Sequence, residues 1–119
     1  MHLLGLEHVR TNIERKLIEM SLQAHQRKLI LTDIFGGYNV AEESANCLYD
    51  CKDENEFDAN VALLKKKWDE IEYKFTKNKP AKFTSYFTKY KQLQIRNKMA
   101  KYVRDRAGVS RGFGQNPIE

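Results

Sequence analysis

Apolar side chains fall at helical spacing through most of this chain. Leu6, Val9, Ile13, Leu17 and Met20 recur at three- and four-residue intervals, which predicts an amphipathic helix over 6–21. A second apolar-rich segment, 23–35, crowds Leu29, Ile30, Leu31, Ile34 and Phe35 ahead of Gly36-Gly37, a strong helix stop. Residues 36–52 are polar and irregular, with at most one helical turn around Ser44 to Tyr49. Asp53 or Asn55 then suits the N-cap of the clearest element. Phe57, Val61, Leu64, Trp68, Ile71 and Phe75 follow it as one apolar stripe, predicting a helix over 54–77. Lys65, Lys66 and Lys67 fall off that stripe, on its wet side.

Asn78-Lys79-Pro80 breaks this helix, and Pro80 suits the first turn of the next. Phe83, Tyr86, Phe87, Tyr90, Leu93, Ile95, Met99, Tyr102 and Val103 carry a last helix over 81–107, as far as Gly108. Two long helices joined by so few residues must return antiparallel, as a hairpin. The predicted fold class is therefore all-α: one four-helix domain over 1–119 with a long C-terminal helical hairpin. A turn at 108–119 closes it, and at most one short strand lies at 2–6. Trp68, at the middle of the stripe, is the expected anchor between the two long helices.

At 119 residues, 41% hydrophobic and 31% charged, the composition is that of one small globular domain. No apolar run approaches the ~20 residues of a membrane span. The apolar start Met1 to Leu6 is too short for a signal-peptide core. Two cysteines, Cys47 and Cys51, make no disulfide framework, which fits an intracellular, reducing compartment. The net charge of +5 is divided unevenly. Residues 1–60 hold 6 Lys/Arg against 11 Asp/Glu, a balance of −5, and residues 61–119 hold 15 against 5, a balance of +10. Within 74–106 there are 11 basic residues and one acid, Asp105. Such a field attracts polyanions, with phosphate backbone or an acidic partner domain as candidates.

Catalytic motifs are scarce. His2, His8 and His25 all sit in the first quarter, and Gly36-Gly37 lacks the Lys-Ser/Thr of a phosphate loop. Cys47 and Cys51 supply only half of a zinc ligand set even with His25 nearby, so a pair of small half-buried loop residues is the plainer reading. Glu42, Glu43, Asp50, Asp53, Glu54, Glu56 and Asp58 form a loose acidic cluster without EF-hand spacing. Asp53, Glu54 and Glu56 fit the positive end of the helix that follows. In the last helix Lys82, Lys89, Lys91, Arg96, Lys98, Lys101, Arg104 and Arg106 are the candidate DNA-binding residues. Its aromatics Phe83, Phe87 and Tyr90 are at core spacing, and the alternative is that the basic residues are simply its solvated face.

Several segments, taken in order, resemble Mutator-like element transposases. His2-Leu3-Leu4-Gly5-Leu6-Glu7-His8-Val9, with Asn12-Ile13 and Lys16-Leu17, resembles that family's segment of hydrophobic strand, Cys-x-x-His and helix. Asp33-Ile34-Phe35-Gly36 resembles the Asp-Ile-Phe-Gly step of one subgroup, and Phe57 to Trp68 resembles the helix with Phe-Asp, Leu and Trp. Phe83 to Tyr90 with Val103-Arg104-Asp105-Arg106-Ala107-Gly108 resembles the Phe…Phe…Tyr, Val-Arg-x-x-Ala-Gly stretch. Asn116-Pro117-Ile118-Glu119 resembles the start of the Asn-x-x-Glu-Ser motif. The likeness spans nearly the whole chain.

The resemblance implies an RNase H-like parent enzyme whose Asp, Asp and Glu hold two divalent metals, Mg2+ or Mn2+, for strand cleavage and joining. A helical insertion separates the second Asp from the Glu, and this chain matches that insertion. The Gly/Asn/Pro ending delivers Glu119 where the third catalytic acid falls. Gly5 stands in place of the family's cysteine, leaving His8 without its sulfur partner. Neither catalytic aspartate is matched, and Asp33 belongs to the Asp-Ile-Phe-Gly step. One carboxylate cannot assemble a two-metal site. The implied function is a catalytically inactive transposase fragment, nuclear, with no cofactor of its own and residual nonspecific DNA binding. The alternative is a small helical interaction module that binds an acidic protein.

Overall fold

The first apolar stripe forms α1, Leu6–Glu19, in the computed structural model, which describes residues 5–36 and 47–108. Leu6, Val9, Ile13 and Leu17 are all buried, and Met20 joins them at the C-cap. Ser21 turns the chain through the left-handed region (φ 67°), and α2, Ala24–Phe35, packs against α1. Gly36 ends α2 at φ 88°, its N–H donating to the Thr32 carbonyl at 2.8 Å. That backbone conformation is one glycine adopts without a Cβ penalty. Among the described residues all regular structure is helical. Of the strand expected at 2–6, Gly5 is the N-cap of α1 and Leu6 its first residue; residues 2–4 lie outside the described residues.

A short 3-10 turn, Leu48–Asp50, leads into α3, Glu54–Thr76. Asp53 is the cap of α3, accepting from the Glu56 N–H at 2.8 Å, and Asn55 lies inside the helix. Phe57, Val61 and Trp68 are buried, with Leu64 and Ile71 packed beside them. The stripe fails at its end, where Phe75 is 51% exposed and Glu72 is buried instead. The partner helix begins beneath Glu72, so the last turn of α3 overshoots the interface. The three lysines differ. Lys66 is exposed, Lys67 is paired with Asp33 at 3.0 Å, and Lys65 is half-buried with its pKa lowered by desolvation.

Lys77 closes α3 in the left-handed conformation (φ 61°), and the chain returns as α4, Lys82–Tyr86. Helix α4 runs through a π turn, Phe87–Lys91, into α5, Gln92–Lys98; α6, Lys101–Ala107, follows. The expected hairpin forms around Trp68. Its ring meets Phe83 at 5.5 Å and Phe87 at 5.0 Å, both edge-on, the geometry that aromatic quadrupoles favour.

The last helix departs from the sequence expectation in two places. The predicted single helix over 81–107 is broken at Met99-Ala100. There the Ile95 carbonyl accepts from both Met99 and Ala100, at 3.1 and 2.9 Å, and Ala100 is extended. Met99, Ala100, Tyr102, Val103 and Arg104 are all buried, a density one helical face cannot hide, and the break lets both sides be covered. Upstream, the π turn inserts an extra residue into the helical repeat. Phe87 and Ile95 keep their places in the core, whereas Tyr90, expected there, is rotated out to 53% exposure.

Candidate nucleic-acid interface

The eight basic residues that sequence placed on one DNA-facing helix do not share one role. Arg104 is withdrawn from the surface. It is 4% exposed, donates to Asp50 Oδ1 and to the Tyr49 carbonyl at 2.8 Å each, and lies 4.0 Å over the Tyr49 ring. A guanidinium held this way cannot track phosphates, so Arg104 is a core residue. Arg96 grips Asp58 with two bonds of 2.8 and 3.1 Å. Arg106 reaches Glu54 at 3.0 Å, and Lys101 pairs with Asp105 at 2.9 Å. Lys82, Lys89 and Lys98 are exposed and carry no ion pair among the described residues. Lys91 is half-buried, and desolvation lowers its pKa.

The opposed charges of the two halves therefore meet within the chain, one pair buried and two at the surface. Asp50, Glu54 and Asp58, at and just beyond the 3-10 turn, receive Arg104, Arg106 and Arg96. The Arg106 hydrogen bond holds the Glu54 carboxyl below its ordinary pKa, and the Arg96 bond does the same for Asp58. A lowered carboxylate pKa means stability present above the unfolded value and lost as pH falls through the folded one. Both groups are open to water, where screening keeps such contributions small.

Two other carboxylates organise the hairpin. Helix α4 begins after Ala81, which offers no capping side chain. Glu72 supplies the cap from α3: Oε2 accepts from the Lys82 N–H at 2.8 Å and Oε1 from the Phe83 N–H at 2.9 Å, with Asn78 Nδ2 at 3.0 Å. A buried carboxylate at a helix N-terminus satisfies orphan donors and meets the positive end of the helix. Asp69 adds a hydrogen bond from the Thr84 hydroxyl. Replacing Glu72 with alanine strands two backbone N–H groups, and a loss of about 2–3 kcal/mol is expected in urea unfolding. Glu72→Gln, which keeps one acceptor oxygen, should lose less. Equal losses would show that the carboxylate's charge matters more than its hydrogen bonds.

No catalytic constellation forms among the described residues. Asp33 is engaged by Lys67 and by the Trp68 indole N–H at 3.1 Å. Cys47 and Cys51 are fully buried free thiols, while His25 is exposed on α2. Cys51 donates to the Cys47 carbonyl at 3.5 Å, and burial pushes its pKa up to about 11. No three His, Cys, Asp or Glu side chains come together as a metal site among the described residues, and no helix there is long and apolar enough to cross a membrane. Glu42, Glu43 and Glu119 lie outside the described residues. Compared with protein-family models, with curated proteins and with solved structures, the chain matches none.

Proposed function

We propose that this chain is a non-catalytic helical module that binds DNA nonspecifically, in the manner of the helical insertion of a Mutator-like transposase. The observation that carries the reading is the set of exposed ammonium groups at Lys82, Lys89 and Lys98, which carry no ion pair among the described residues. They lie in a stretch with 11 basic residues and one acid. The ordered segments from Asp33-Ile34-Phe35-Gly36 to Val103-Arg104-Asp105-Arg106-Ala107-Gly108 support the family assignment. On that assignment the intact enzyme is nuclear and uses Mg2+ or Mn2+. The donor set described here does not fit such a metal pair, since Asp33 is committed to Lys67 and Trp68.

Titrating the chain with a labelled duplex of arbitrary sequence at several salt concentrations tests this reading. If three lysines each neutralise one phosphate, log affinity falls with log salt at a slope of about −3. The rival is a module for an acidic protein, favoured by Leu63 and Leu93, which are 67% and 63% exposed and available as apolar anchors. Absence of binding to both duplex and single-stranded DNA at low salt would give that reading precedence.

A further inference from the structure

Helix α1 and the π turn flank an open, shallow groove of about 410 Å³. Arg15, Lys16 and Glu19 line it from α1, and Tyr86, Tyr90 and Lys91 from the opposite wall. The π turn creates this wall by rotating Tyr90 away from the core. Tyr90 stands 5.7 Å from Tyr86, ring centroid to ring centroid. Each ring already carries a cation: Lys16 lies 5.4 Å over Tyr86 and Lys89 lies 5.2 Å over Tyr90. Glu19, the acid of the groove, is held by Lys16 at 3.8 Å.

Two features point to a stacked, anionic occupant. Lys91 is partly buried with no acidic partner among the described residues, and an incoming phosphate would offset the cost of burying that ammonium. The groove also continues. A second hollow shares Lys16 and Glu19 and extends to Phe75 and Lys82, adding another exposed ring and an ammonium with no ion pair among the described residues. Alternating rings and cations along one track match the chemistry of a single strand, whose bases stack while its phosphates are neutralised. In a duplex the base faces are covered by their neighbours, leaving Tyr86 and Tyr90 without a role.

We propose that the groove between α1 and the π turn binds single-stranded DNA, with Tyr90 and Tyr86 as stacking platforms and Arg15, Lys16 and Lys91 as phosphate contacts. The assignment rests on the DNA-binding reading above and narrows it to one strand and one surface. None of these groove residues except Lys91 belongs to the basic set named from sequence.

Fluorescence anisotropy with a labelled oligothymidylate and a duplex of equal length, each titrated with the full chain, tests it. Oligothymidylate should bind at least about ten-fold more tightly than the duplex. Tyr90→Ala should weaken oligothymidylate binding about ten-fold and leave duplex binding unchanged, and Tyr90→Trp should restore it. Tyr90 is exposed, so these are surface substitutions; an unchanged Trp68 emission spectrum confirms the fold of Tyr90→Ala, and an unchanged far-ultraviolet circular dichroism spectrum and thermal melt confirm that of Tyr90→Trp. Equal binding of both probes with no effect of Tyr90→Ala would overturn the groove and leave nonspecific DNA binding standing. Binding of neither probe would overturn both. Tighter binding of an oligouridylate would overturn the assignment to DNA.

Discussion

Arg104→Met should destabilise the protein by about 3–5 kcal/mol, the usual loss when one partner of a buried ion pair is removed. The substitution leaves Asp50, also almost wholly buried, without the guanidinium that neutralises it at 2.8 Å. It also removes the bond to the Tyr49 carbonyl and the contact with the Tyr49 ring. Arg104→Met combined with Asp50→Leu should recover a large part of the loss, because replacing both members leaves no buried charge. Urea unfolding followed by Trp68 emission measures both variants. A single-substitution loss below about 1 kcal/mol would mean that water reaches Asp50 in solution and that the pair is not sealed. DNA affinity, corrected for the folded fraction, should not change with Arg104.

Trp68→Ala should cost about 3–5 kcal/mol, as expected when a large buried ring is truncated. The indole fills the space between α3 and α4 against Phe83 and Phe87, and its N–H donates to Asp33. The substitution thus opens a cavity and removes one of the two bonds from α3 to Asp33, leaving that of Lys67. Domains of this size hold about 5–15 kcal/mol in total, so the variant should melt far below the parent protein. Trp68→Phe retains most of the ring volume but not the bond to Asp33, and should fall between the two. Trp68 is the chain's one tryptophan, so its emission reports directly on this packing. A native spectrum already at the maximum of indole in water would contradict the assigned position.

The apolar periodicity located the two N-terminal helices, the hairpin and the role of Trp68. Each is written in residues whose burial follows from spacing alone. Glu72, Arg104 and Asp50 were illegible because a pattern of apolar positions counts charged residues as solvent-facing. One indirect signal existed for Glu72. Ala81 cannot cap α4, so the first N–H groups of that helix needed an acceptor from elsewhere in the fold. The break at Met99-Ala100 has no glycine or proline to mark it; tertiary packing on both sides enforces it. The π turn is equally silent in sequence, and its single extra residue moved Tyr90 from the expected core to the surface. Of the candidate binding residues, charge alone could not tell Lys82, Lys89 and Lys98, which face water, from arginines already committed to acids within the chain.

Those committed arginines also lead to an expected order of assembly. Asp58 and Arg96 are 38 positions apart, Glu54 and Arg106 are 52 apart, and Asp50 and Arg104 are 54 apart. Closing such long loops from an open chain carries an entropic cost that local helix formation does not. Once α3 and α4 have zipped together around Trp68, much of the intervening chain is already fixed and the remaining span is short. Arg96 can then engage first, and α6 follows with Arg104 and Arg106. In this sense α6 is a clasp: it fastens last, over a hairpin that has already closed.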